Sequence, residues 1–410
     1  MIKYSYIKLT GCLVAAALAP LCTSAQRINT EASVERLKSE SLQFSYSDNA
    51  SGIQLDQMDY YSQVGLGYDI EKGSFKRAQE GEHNTGYRFF TDGGGTMKAL
   101  KGAFIWGSFE YSRDQLRDAE YNASLIDPLR GTPFFIADTY KSKWINQLYD
   151  MTVKAAAPKL WDRLIFGIEA TYQNGQGAKQ HDPRPLVSLS KFEIKPGVTV
   201  TLGKHAIGAN YQYSSRDEDG ASNKISMSTN PVYIFNFPGF YVDASISSST
   251  DDNQRIYNAN CMGVGGQYSF TTQKLRLLVS GKYTREIEDV TNSYTTPKMV
   301  GTTRDERWSI GLSAVYKPSK ENTFFLNAAY GDRSIDGIQY VQEWDNSFEV
   351  AKWIIKSKSV RSNSSKAGFE GRLQYMRTTR GDSYNWTAGV EFSTEKLSDI
   401  YYFPRSTPDN

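Results

Sequence analysis

Residues 160–213 set the pattern that the rest of the chain repeats. From Leu164 to Tyr172 the even positions are Leu164, Phe166, Ile168, Ala170 and Tyr172, and the odd ones between them are Ile165, Gly167, Glu169 and Thr171. Alternation of period two over about ten residues is the mark of a β-strand with two unlike faces. A polar stretch, residues 174–185, carries Gly175, Gly177, Pro183 and Pro185 and reads as a long loop. The next strand puts Phe192, Ile194, Val198, Val200 and Leu202 on one face and Lys191, Glu193, Lys195, Thr199 and Thr201 on the other. Gly203-Lys204 turns the chain, and Ile207, Ala209, Tyr211 and Tyr213 resume the apolar face. Strands of soluble sandwiches usually run about five or six residues. Strands of about ten, with apolar residues out, polar residues in and aromatics near the ends, suit a barrel that spans lipid.

The same alternation recurs along the chain. It predicts strands around Ser62–Ile70, Tyr87–Thr91, Gly102–Ser112 and Tyr149–Ala157, and three later hairpin pairs up to Phe392. Gly93-Gly94-Gly95 reads as the turn after the second strand. Short connections fall near Gly93, Pro158, Gly203, Thr271, Pro318 and Gly381, and long ones over residues 71–83, 113–143, 174–185, 214–253, 286–305 and 334–366. Outer-membrane barrels sort their loops this way, with short periplasmic turns and long outer loops. The fold expected is all-β, an antiparallel up-and-down transmembrane barrel over residues 59–410, with about 14 strands of which about 13 are readable. Residues 396–410, with Pro404 and Pro408, read as an outer loop, which leaves the count odd. Single-chain bacterial barrels have even counts. The expectation is therefore that a downward strand is missing from these residues, or that residues 334–366 hide one.

Mean hydropathy is −0.52, and no run of about twenty apolar residues follows the N-terminus, so helical membrane spans are excluded. Lys3 and Lys8, an apolar segment at 9–21 and Thr23-Ser24-Ala25 read as a secretory signal peptide over residues 1–25. Its removal would leave 45 of the 47 basic residues against 45 acidic ones, a balance that argues against nucleic acid as a partner. Cys12 and Cys22 would leave with it, and Cys261 alone provides neither a disulfide nor a metal site. Residues 26–58 precede the first strand. Residues 30–38 have the spacing of a short amphipathic helix. The segment reads either as a plug inside the lumen or as a periplasmic arm.

The hairpin Lys195-Pro196-Gly197-Val198 … Leu202-Gly203-Lys204-His205-Ala206-Ile207-Gly208 and the Tyr-rich strand ends resemble an uncharacterised outer-membrane barrel family of Gram-negative bacteria. That resemblance implies fold and location and assigns no catalytic or ligand residue. Tyr46-Ser47-Asp48-Asn49-Ala50-Ser51-Gly52-Ile53 resembles the Asn-Pro-Ala-Gly element near the N-terminus of long-chain fatty-acid transporter-like barrels, without its proline.

Nothing points to an enzyme, a cofactor or a metal. His83, His181 and His205 are scattered, and His205 follows a turn at the periplasmic end. The inward register instead collects charge: Glu110, Lys154, Glu169, Lys191, Glu193, Lys195, Arg276, Lys282, Arg307, Glu370, Arg372 and Glu391. It reads as a hydrated, porin-like channel that passes a small solute, or as an interior filled by ion pairs. Two outer loops are aromatic. One carries Tyr233, Phe235, Phe237, Phe240 and Tyr241, the other Trp344 and Trp353. Such clusters mark a binding surface for a surface lipoprotein or transporter partner, or loops that cap the barrel. The partner common to all these readings is outer-membrane lipid. On the lipid face, Leu277 is expected near mid-membrane and Ser280 inward.

Overall fold

The computed structural model describes residues 31–402 apart from 78, 128–129, 139–140, 181–183, 223–233, 239–244, 248–253, 293–295, 349, 379–383 and 385. Two short helices come first, α1 (Glu31–Glu40) and α2 (Leu42–Tyr46), then a 3-10 turn at Ala50–Leu55. The strands are β1 (Tyr61–Lys72), β2 (His83–Met97), β3 (Ala103–Ala119), β4 (Phe134–Asp138), β5 (Ser142–Ala156), β6 (Leu164–Lys179), β7 (Pro185–Leu202) and β8 (His205–Ser222). They continue as β9 (Ile234–Pro238), β10 (Ser245–Ser247), β11 (Gln254–Thr271), β12 (Leu275–Thr291), β13 (Met299–Tyr316), β14 (Asn322–Asp345), β15 (Lys352–Arg377) and β16 (Trp386–Tyr401). Thirteen of them form one antiparallel up-and-down sheet, and β4, β9 and β10 form a small sheet of loop strands. Strands β1 and β16 are the two edges of the large sheet and do not pair with each other.

The alternation becomes two faces. Val64, Leu66, Tyr68 and Ile70 of β1 are 54–85% exposed, and Ile207, Val264, Ile310 and Val390 continue that face around the sheet. An apolar face this open is a lipid-facing surface. Two aromatic rows border it. Tyr68 with Tyr87, Tyr111 with Tyr149 and Trp308 with Tyr330 lie 4.9–5.3 Å apart on one side. Phe324, Tyr375 and Trp386 stack at 5.0 and 5.1 Å on the other, next to the short turns. These are the girdles that place aromatic rings at headgroup level.

Several boundaries differ from the sequence reading. Residues 174–179 belong to β6, residues 396–401 to β16, and most of residues 334–366 to β14 and β15, so that stretch hides no separate strand. Beyond the girdle both faces are polar and alternation vanishes, but backbone pairing needs no apolar side chain and simply continues. Gly93-Gly94-Gly95 is not a turn. It lies within β2, and the chain reverses later, where Lys101 and Gly102 have φ of 54° and 84°. A Cβ on Gly95 would stand 2.6 Å from the Tyr60 backbone, so the glycines let residues 59–61 cross close to β2.

Leu277 is outward as expected, but it lies two residues into β12 from its short turn, nearer the interface than the mid-plane. Val279, paired with Tyr268 and Leu312, is the deeper position. Val279→Arg is expected to cost about 2–4 kcal/mol of folding free energy, Leu277→Arg less, and inward Ser280→Arg least. Urea-dependent refolding into lipid vesicles measures the order; an equal cost at Val279 and Ser280 would mean the register is wrong by one.

Candidate functional site

Two inserted segments and the inward wall between them build the site. At the short-turn end, residues 31–58 lie inside the curve of the sheet. The Asn49 amide donates to the Val198 carbonyl (3.1 Å), Thr199 Oγ1 (3.3 Å) and Gln267 Oε1 (3.1 Å). Its carbonyl oxygen accepts from the Ser51 backbone N–H (3.1 Å) and Oγ (2.6 Å), and Ser51 Oγ is 2.7 Å from Thr199 Oγ1. Glycines make room for this contact. A Cβ on Gly167 would stand 2.2 Å from Ser51 N, and one on Gly197 would stand 2.1 Å from Asn49 Oδ1. Phe44, Ala50, Ile53 and Met58 pack on Phe104, Trp106, Ala156 and Ile165 of the wall, while Leu42 packs on Leu278, Val315 and Phe325.

Charge completes the docking. Lys38 binds Asp92 (2.8 Å), Lys317 binds Glu40 (2.6 Å), and Arg276 binds Asp56. Asp48 sits between Lys282 (3.0 Å) and Lys195 (3.4 Å). Burial alone would raise the Asp48 carboxyl, but the two lysines outweigh it and hold it below the usual range. Burial wins at Asp56, whose carboxyl is pushed up to about 6 despite Arg276. A carboxyl raised this way favours docking while it is protonated. Its contribution is complete below the ordinary 3.8 and is lost as pH rises through about 6. Residues 31–58 are therefore expected to be better protected from protease at pH 5 than at pH 8, with Asp56→Asn removing the difference. A pH-independent protection in the wild type would contradict this.

At the opposite end, residues 120–127 and 130–138 fold inward over the lumen. Glu218, almost fully buried, accepts from the Ile126 backbone N–H (2.7 Å) and from the Ser124 hydroxyl. Arg130 donates to both oxygens of Glu288 at 3.1 Å, and its guanidinium lies 5.0 Å from the Tyr257 ring centre. Phe134 fills the notch left by Gly301, where a Cβ would be 2.1 Å from its ring. Thr132 reaches Thr303 at 3.3 Å. Strand β4 then pairs with β9.

Between floor and roof lies a chamber of about 710 Å³ lined by Lys191, Glu193, Lys195, Lys282, Arg307 and Glu370 among others. Six of the twelve predicted inward residues thus share one cavity. Glu169 sits beneath it, bonded to Lys195 (3.0 Å) and Lys154 (3.2 Å), and Arg276 holds the floor segment. Arg372 and Glu391 face each other across β15 and β16 near the open edge, outside the chamber lining. Sequence reading missed Asp305, which holds Arg333 at 2.7 Å and also Arg307, and it missed Glu286 and Glu288, which hold Arg216 at 2.9 and 2.6 Å. All three continue the inward parity past the point where the strands were ended too early.

Trp344 and Trp353 meet at 5.4 Å near the tip of the β14–β15 hairpin, with Lys298 4.3 Å from the Trp353 ring centre. Phe235 and Phe237 lie on β9, which pairs with β4 and β10 rather than with that hairpin. Tyr233, Phe240, Tyr241 and His181 lie outside the described residues. His83 begins β2, and His205 faces outward, its Nδ1 2.7 Å from Tyr268 Oη.

A lipid-facing meander with an inserted N-terminal segment and an inserted loop defines a transmembrane β-barrel protein. By its sequence the chain belongs to a family of unknown function, DUF6850, whose model matches residues 50–409. No curated protein matches it. Among solved structures, it is similar to the ferric preacinetobactin receptor of Acinetobacter baumannii, with 8% identity and a TM-score of 0.39, over 86% of this chain and 59% of the receptor. It is similar to the ferric citrate transporter at 9% and 0.41, over 82% and 55%. It is also similar to the translocator domain of an autotransporter from Neisseria meningitidis at 11% and 0.29, over 64% and 82%. The chain spans less than two thirds of the first two. These are likenesses of fold alone and do not show the resemblance to long-chain fatty-acid transporters.

Proposed function

We propose that the protein is an outer-membrane barrel, exported by a signal peptide over residues 1–25, that passes a small polar solute through its lumen. The observation that carries this reading is the charged chamber flanked by two separate inserted segments, whose polar contacts water or solute can replace. Residues 31–58 act as the plug, and residues 120–127 with 130–138 as a constriction on the outer side. Purified protein in planar bilayers is expected to show low conductance, rising several-fold when residues 31–58 are deleted. Silent bilayers for both forms, with folding shown by heat-modifiable gel mobility, would refute passage.

A second reading rests on the aromatic loops. Trp344 and Trp353 at the hairpin tip, with the loop that carries Tyr233, Phe235, Phe237, Phe240 and Tyr241, suit a surface lipoprotein or transporter partner. Deleting residues 232–241 would then abolish co-purification of that partner while the barrel still folds.

A further inference from the structure

The lumen pairs most of its cations, but one group at the short-turn rim has no carboxylate paired with it. A cavity of about 600 Å³ opens there, lined by Lys159, Arg163 and Lys204, with Asp162 the single acid of its lining. Among the described residues none of these three cations has a carboxylate within 4 Å. They come from two neighbouring turns that the backbone ties into one rim. Thr201 N donates to the Arg163 carbonyl (2.8 Å), and Thr271 N, from the next hairpin, donates to the Lys204 carbonyl (2.9 Å). The Thr201 hydroxyl reaches the Asp162 and Arg163 carbonyls at 3.3 Å. Leu55 of the floor segment forms part of the lining.

The outer lip of the cavity belongs to the lipid face. Leu202 is half-exposed, and His205 stacks 5.1 Å from Phe270 while bonding Tyr268 in the girdle. Trp161, on the same rim, is 83% exposed. Cations that project beside an aromatic girdle, next to an apolar strand face, match a phosphate at headgroup depth with its acyl chains along the strand. Arg163 offers a forked donor, and Lys159 and Lys204 offer point charges.

We infer that this rim cavity binds a phosphate group, carried by the headgroup of a phospholipid in the adjoining leaflet. Full-length protein in dodecyl maltoside, titrated with dioleoylphosphatidylglycerol and followed by native mass spectrometry, is expected to retain one tightly held lipid. Lys159→Gln/Arg163→Gln/Lys204→Gln is expected to bind it at least tenfold more weakly, Arg163→Gln alone to weaken it partly, and Lys320→Gln, on another short turn, to leave it unchanged. Heat-modifiable mobility checks that each variant is folded. Equal affinity of the triple variant and the wild type overturns the site. Dioleoylglycerol binding as well as the phospholipid overturns phosphate recognition. Displacement by millimolar inorganic phosphate overturns the lipid as source, and resistance to it supports the lipid.

Discussion

Gly167→Val is expected to unseat the floor segment and open the lower half of the lumen. The Cβ of any residue at 167 would fall 2.2–2.6 Å from Ser51 N, Ser51 Cα and the Ala50 carbonyl carbon. These are backbone atoms, so no side-chain rotamer relieves the clash. Overpacking of this kind costs about 1–3 kcal/mol, which shifts a docked-to-free equilibrium by about fivefold to a hundredfold or more. The loss spreads, because Asn49, Ser51 and Thr199 form one network and each group left behind is buried. The sheet itself is spared, since the Gly167 pairing with Gly197 is made by backbone groups. Gly281→Val, a control on the opposite, outward face of the wall with nothing but the Ser309 carbonyl near its Cβ (3.9 Å), is expected to change little. Single-channel conductance and protease cleavage between residues 31 and 58 should rise together in Gly167→Val. A folded variant with an unchanged, protected floor would show that the segment does not depend on this cradle.

How much of this was legible follows from where chemistry differs between the two faces of a strand. Between the girdles one face meets lipid and the other water, so Phe166 and Glu169 must sit at opposite parities, and the strands from Leu164 to Tyr213 could be read directly. The pairing of Glu169 with Lys195 follows from the same parity plus the hairpin register. Above the girdle no such contrast exists. Residues 174–179 and 334–366 are polar or mixed on both faces, and from sequence their strands read as loops. Docked segments were harder still. Gly167, Gly197 and Gly208 all stand at inward positions, which is a signal of something close by, but Asn49 lies far away in sequence and no period links them. Asp48-Asn49-Ala50-Ser51-Gly52 was conspicuous as a motif; what it touches was not. The roof reads as an ordinary long loop, because neither Arg130 nor Phe134 shows in sequence that Glu288 and Gly301 await it.

The roof yields the second large effect, and it is asymmetric. Glu288 is 2% exposed and holds both Arg130 of the roof and Arg216 of the wall. Arg130→Ala removes the roof's cation but leaves Glu288 satisfied by Arg216, so only the latch itself is lost. Glu288→Gln instead strands Arg130 under the roof without a directly paired carboxylate, Glu218 lying beyond contact, while Arg216 keeps Glu286 at 2.9 Å. Breaking a buried pair from the side that leaves an uncompensated charge costs about 3–5 kcal/mol. The roof escapes that penalty only by lifting Arg130 into water, which also withdraws Phe134 from the Gly301 notch. Glu288→Gln is therefore expected to release the roof further than Arg130→Ala does. Trypsin reads this directly, because the Arg130–Gly131 bond is shielded while the latch holds and becomes a cleavage site when it opens. Faster cleavage at that bond in Glu288→Gln than in the wild type, with larger conductance fluctuations than Arg130→Ala, is the expected result. Cleavage as slow as in the wild type, in a folded barrel, would mean that Glu218 and the packing of Phe134 hold the roof without this ion pair.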